Sequence, residues 1–135
     1  MKYPEFFERV ESITLKDPLA EFLGAFEEGV IRFNYLDVVK SAGHSCPTIA
    51  GAYLMVREGL KALYKDEIPM RGGIKVFFKE GVEEGTTGVI ANVFSLITGA
   101  TATTGFKGLN GQFDRRNLLF FNESLSLHVK IVEVF

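Results

Sequence analysis

The chain has 135 residues and a mass of 15.0 kDa, the size of one domain and too short for two independent cores. Its 15 Lys and Arg against 17 Asp and Glu give a net charge of -2 at pH 7, which argues against nucleic acid, whose phosphate backbone demands a basic partner. A single Cys excludes an internal disulfide, and a chain of this size buries roughly two-thirds of its unfolded surface, enough to fold without a disulfide or a structural metal.

Glu5, Glu8 and Glu11 interrupt the stretch where a secretory signal would need an apolar run, and no later segment reaches about 18 uncharged apolar residues. The expected setting is a soluble cytoplasmic protein without membrane contact. Apolar residues make up 47% and Phe fills 13 positions in the absence of Trp, so the core should be rich in aromatic rings. No repeat, low-complexity tract or linker divides the chain, and residues 1–135 read as one domain.

Pro4 followed by Phe6, Phe7, Val10 and Ile13 predicts a short leading helix. Asp17-Pro18 repeats the pattern of a cap and a first-turn proline ahead of Leu19, Phe22, Leu23 and Phe26, with Gly29 as the break. The β-formers from Val30 to Leu36 predict a strand running toward Val39 and ending at Gly43. From Pro47, the residues Ile49, Tyr53, Val56, Leu60 and Leu63 form the clearest apolar helical stripe in the chain. Gly51 and Gly59 lie inside it, where small residues allow close approach to a sheet or a second helix.

Pro69 and Gly72-Gly73 mark a turn into a strand over residues 74–78, which exits at Lys79-Glu80. A second helix follows, capped at Thr86 or Thr87, with Val89, Ile90, Val93, Phe94 and Ile97 as its buried stripe and Gly99 at its end. Residues 99–113 are rich in Gly and Thr and read as a loop, with Asn110-Gly111 suited to a tight turn. Residues 117–121 and the alternation Leu125, Leu127, Val129, Ile131 predict two strands, turning at Asn122-Glu123-Ser124. The final strand is expected to run to Phe135, where it either pairs with another subunit or is cut short. The arrangement predicts an α+β fold, a mixed or antiparallel sheet with the long helix packed on one face.

One segment carries chemistry. Gly43-His44-Ser45-Cys46-Pro47 lies between the predicted strand end and the start of the long helix. With Pro47 as first helical residue, Cys46 falls at the cap, where unpaired N–H groups and the positive end of the helix dipole favour a thiolate. His44 adds a hydrogen-bond partner, a base or a second ligand, and thiolate plus imidazole suits Zn²⁺. A third ligand must come from Glu80, Glu83, Glu84, Asp114 or His128, from water, or from a second subunit. Against this, Cys46 reads equally as a small packed hydrophobe and His44 as a satisfied turn residue.

GHSCP followed by TIAGAYLM resembles the GHxCP motif and helix of the FmdE-like family, named for one of the subunits of formylmethanofuran dehydrogenase. Thr98-Gly99 after a helix, and Arg116-Asn117-Leu118 opening a strand, fall where that family has TGCT and GKxNL-like segments, so the likeness covers roughly residues 15–125. It implies an α+β core that forms homodimers, with a metal-associated cleft around His44 and Cys46. It also implies an association with molybdenum or tungsten enzymes or their operon partners. Ala42 stands where many members have a His, Ala100 where they often have a Cys, the loop holding Gly105 to Gln112 is longer, and the C-terminal zinc finger of some members is absent.

Three functions follow. The first is a metal- or metal-cofactor-binding accessory protein that uses Cys46 and His44 with zinc or another transition metal. The second is a thiol enzyme with Cys46 as nucleophile and His44 as base, the Gly/Thr-rich loop offering N–H groups to an oxyanion or phosphate. The third is a haem protein with the Cys46 thiolate on iron and Phe side chains around the porphyrin. Thr101, Thr103, Thr104 and Lys107 are candidate pocket walls, and Asn92 faces either the cleft or water.

Overall fold

The computed structural model describes residues 1–134. Five strands and four α-helices follow in the order β1 (Ile13–Lys16), α1 (Pro18–Phe22), β2 (Val30–Phe33), α2 (Tyr35–Ala42), α3 (Pro47–Tyr64), β3 (Ile74–Phe78), α4 (Thr87–Thr98), β4 (Leu119–Phe120) and β5 (Val129–Glu133). The fold is α+β. A two-stranded antiparallel sheet joins β1 to β2, and a mixed sheet in the order β4-β3-β5 holds β3 parallel to β4 and antiparallel to β5. The two sheets are tied where Lys16 N–H donates to Pro69 O at 2.9 Å and Arg71 N–H donates to Lys16 O at 2.8 Å.

The long helix is where its stripe predicts. Ile49, Tyr53, Val56 and Leu60 are buried along one face of α3, which packs on α4 and lies against β5. A Cβ at position 59 would come 2.9 Å from Ile131 Cδ1, so the absence of a side chain at Gly59 sets how near the helix sits to the sheet. β3 and α4 also form where the sequence predicts: β3 buries Ile74, Val76 and Phe78, and α4 buries Val93, Phe94 and Ile97 of its expected stripe, while Val89 is exposed, Ile90 half-buried, and Ala91 is buried instead. Aromatic rings knit the interior: Phe7 to Tyr35 and Tyr35 to Tyr53 meet edge to face at 5.2 and 5.5 Å, and Phe78 stacks on Phe121 at 5.2 Å.

Several elements depart from the sequence reading. The leading helix reduces to a 3-10 turn over Glu5–Arg9 in which Phe7 alone is buried. Ile13 belongs instead to β1, whose alternation of buried Ile13 and Leu15 with exposed Thr14 and Lys16 is a strand period. The helix expected through Phe26 ends at Phe22, one short turn after its cap.

The strand expected from Val30 toward Val39 stops at Phe33. Asn34 then starts α2 with a capping box: its side chain accepts from Asp37 N–H at 3.0 Å, and the Asp37 carboxylate accepts from Asn34 N–H at 2.9 Å. Two satisfied N–H groups outweigh the β-preference of Tyr35, Val38 and Val39. Near the end of the chain, β4 spans only Leu119–Phe120, and β5 begins at Val129, leaving Leu125 outside it and Leu127 exposed. β5 ends at Glu133, and Phe135 lies outside the described residues. Among the described residues no helix is long and apolar enough to cross a membrane.

Asp17 holds the first third of the chain to the rest. Its carboxylate accepts from Leu19 and Ala20 N–H at 3.0 and 3.1 Å, capping α1, and also from Arg71 Nη1 at 2.9 Å and Arg115 Nη2 at 2.5 Å. Arg71 spends its other donors on the carbonyls of Ile97 and Leu96, at the C-terminal end of α4. Gly99, in the left-handed conformation after α4, makes room for the Arg115 side chain: a Cβ there would lie 2.5 Å from Nη1.

Candidate functional site

Gly43 closes α2 at φ 82°, a left-handed conformation that suits glycine. The His44-Ser45-Cys46 link then joins two helices rather than a strand and a helix, because the expected strand is α2. Cys46 is the cap residue of α3, with extended φ -149° and ψ 170°, and Pro47 is the first helical residue, as the sequence suggested. Cys46 is half-buried.

Cap hydrogen bonding of full geometry to the Cys46 side chain is absent, yet the thiol is held below the ordinary cysteine value. The first-turn N–H of Ile49 is the main cause, partial burial opposes it, and the His44 ring and the Thr48 N–H add to the lowering. His44 is exposed, with Nδ1 3.2 Å from Ala42 O in the last turn of α2. A carbonyl only accepts, so Nδ1 is the donor in that contact. Ser45 Oγ and Tyr35 OH, 2.6 Å apart, pin the link to the start of α2.

Cys46 and His44 border different spaces. Cys46 faces an apolar cavity of about 350 Å³ walled by Phe6, Val10, Tyr35, Tyr53 and Leu54. His44 faces a cavity of about 420 Å³ between α2 and α4, lined with Ser41, Asn92 and Ser95. That space shares Val89, Asn92 and Ser95 with a third cavity of about 550 Å³ reaching Thr101 and Thr104. Asn92 therefore faces a groove, and Thr101 lies at its far end with Oγ1 donating to Arg115 O at 2.8 Å. Thr103 and Lys107 are exposed on the loop.

The other candidate ligands are engaged or remote. Glu84 accepts from Gly81 N–H at 2.9 Å and Glu80 from Thr87 Oγ1 at 3.3 Å, both shaping the turn before α4. Asp114 is clasped by Arg116 through Nε and Nη2, each at 3.0 Å. Glu83 and His128 are exposed. Among the described residues no group of three or more His, Cys, Asp and Glu side chains could hold a metal ion. Among the described residues Cys46 and His44 therefore gain no third protein ligand from the same chain.

Sequence reasoning missed Tyr35 and Phe6, which wall the cavity beside Cys46. Tyr35 was hidden by the strand reading, while Phe6 carried no local signal. Neither a family model, nor a curated protein, nor a solved structure matches the chain.

Proposed function

We propose that this protein is a small accessory protein that binds a transition metal, zinc foremost, or a metal-bearing cofactor through Cys46 and His44. The observation that carries this reading is the half-buried Cys46 at the start of an 18-residue helix, its thiol lowered by the Ile49 N–H and by the imidazole two residues away. The resemblance of Gly43-His44-Ser45-Cys46-Pro47 to the FmdE-like motif points the same way, and with it come a homodimer, a cytoplasmic setting and a molybdenum or tungsten enzyme as partner.

Thiolate sulfur and imidazole nitrogen are matched in softness to Zn²⁺, and the lowered thiol favours the deprotonated form that ligates. Two donors per chain leave coordination positions for water, for the cofactor's own atoms or for a second copy. Such a site exchanges its cargo more readily than a closed one, which suits a carrier.

Titration with Co²⁺ as a spectroscopic stand-in for zinc tests the assignment. Thiolate-to-cobalt absorption should appear in the wild-type protein, vanish in Cys46→Ala and weaken in His44→Ala; a spectrum unchanged in both variants overturns it. A second reading, a thiol enzyme with Cys46 as nucleophile, draws on the same lowered thiol and its apolar cavity. Haem ligation by Cys46 draws on that cavity too, and a Soret band in the purified protein would select it.

A further inference from the structure

We infer that the cavity floored by Arg115 is a second ligand site, one that takes a small organic oxyanion, a carboxylate or phosphate head on an apolar body. Arg115 is 6% exposed, and a guanidinium carries five N–H donors. Among the described residues its one side-chain hydrogen bond is to Asp17 Oδ1. No buried side-chain nitrogen cut off from the surface lacks a partner, so Nε and Nη1, without a partner among the described residues, keep some solvent contact; Nε lies beside Gly72, which lines the same cavity as Arg115.

The local charge does not close either. Arg71 and Arg115 bring two positive charges and Asp17 one negative charge. Asp17 is already saturated by two N–H groups and two guanidinium groups, and Arg71 has placed Nε, Nη1 and Nη2 on protein acceptors. A buried guanidinium with N–H donors unpaired among the described residues, sharing its one carboxylate with a second cation, is matched by a planar or tetrahedral oxyanion.

The enclosure fits a small molecule. It measures about 490 Å³, within the range of ligand pockets. Pro18, Met70, Phe113, Leu118 and Val134 give it apolar walls, and Gln112 stands at an exposed edge. Asp114 also borders it, but its carboxylate is paired with Arg116 and does not repel an anion at Arg115 as a free charge would. The site shares no lining residue with the Cys46 and His44 cavities, so it stands or falls independently of metal binding.

The test uses the intact chain labelled with ¹⁵N, following the Arg115 Nε–H resonance, which is assigned by its loss in Arg115→Lys. Benzoate and phenyl phosphate are the two anionic probes and benzamide is the neutral control. Saturable movement with either anion, and none with benzamide, supports the site, and the tighter of the two anions identifies its head group. Gln112→Glu leaves the ion network untouched and should weaken that anion roughly tenfold by placing a like charge at the rim. A resonance unmoved by both anions, benzamide binding as well as benzoate, or an affinity unchanged in Gln112→Glu overturns the proposal.

Discussion

The sulfur of Cys46 stands at the positive end of α3, while the His44 ring is tied to the carbonyl end of α2. The dipole of α3 therefore favours a negative sulfur. Alkylation of Cys46 by iodoacetamide should show its pH midpoint below that of an ordinary cysteine. In His44→Ala the midpoint should move up and the rate at neutral pH should fall several-fold. A midpoint that does not move would remove the imidazole from the account.

At Asp17, burial alone would push the carboxyl up, but the Arg115 hydrogen bond, the Ala20 N–H and Arg71 outweigh it and hold it below the ordinary carboxylate value. A group depressed in the folded state adds stability above its unfolded value and loses it as pH falls through the folded one. Urea midpoints of the wild type should therefore drop as pH falls below the usual Asp range, while Asp17→Asn should be flatter there. At neutral pH that variant should lose about 3–5 kcal/mol, the cost of leaving buried guanidinium groups without their counter-charge. A third residue anchors the chain before β1. The Tyr53 phenol, pushed up to about 12 by burial, donates to Glu11 O at 2.6 Å and stays neutral across the working range.

Among the elements, the two glycines of α3 separate propensity from packing. A Cβ at Gly51 meets nothing within 4 Å, whereas one at Gly59 meets Ile131 of β5. Gly51→Ala should stabilise the protein by about 0.5–1 kcal/mol through helix propensity alone. Gly59→Val should destabilise it by about 1–3 kcal/mol through overpacking against the sheet. Chemical denaturation of both variants checks the pair, and a stabilising Gly59→Val would mean that α3 is not seated on β5.

α3, α4 and β3 were legible because each carries a long apolar period of one kind. β1 and α2 were misread although their signals are local: Ile13 to Lys16 alternates, and Asn34 is followed three residues later by Asp37. In both cases an apolar run of mixed character was given the wrong period. The cap position of Cys46 was legible for the opposite reason, since Pro47 fixes the helix start without reference to anything distant.

On the scale of the molecule, the sequence held no trace of the Asp17, Arg71 and Arg115 cluster, in which the two arginines lie 54 and 98 residues beyond the aspartate. Nor could it foretell that Cys46 and His44 border separate cavities, because helix packing decides that. The buried apolar side chains of both sheets and of α2, α3 and α4 form one continuous core, so thermal unfolding should be a single transition reporting identically by circular dichroism and tyrosine fluorescence. Two resolved steps would show that the β1–β2 hairpin melts by itself.

The reach of the Asp17 carboxylate also sets when the protein can finish folding during synthesis. Its second cation is not translated until most of the polypeptide has been made, so a nascent chain holds Asp17 with Arg71 alone as its ion-pair partner. A product terminated before Arg115 lacks half of that ion cluster and should be a ready target for proteolysis.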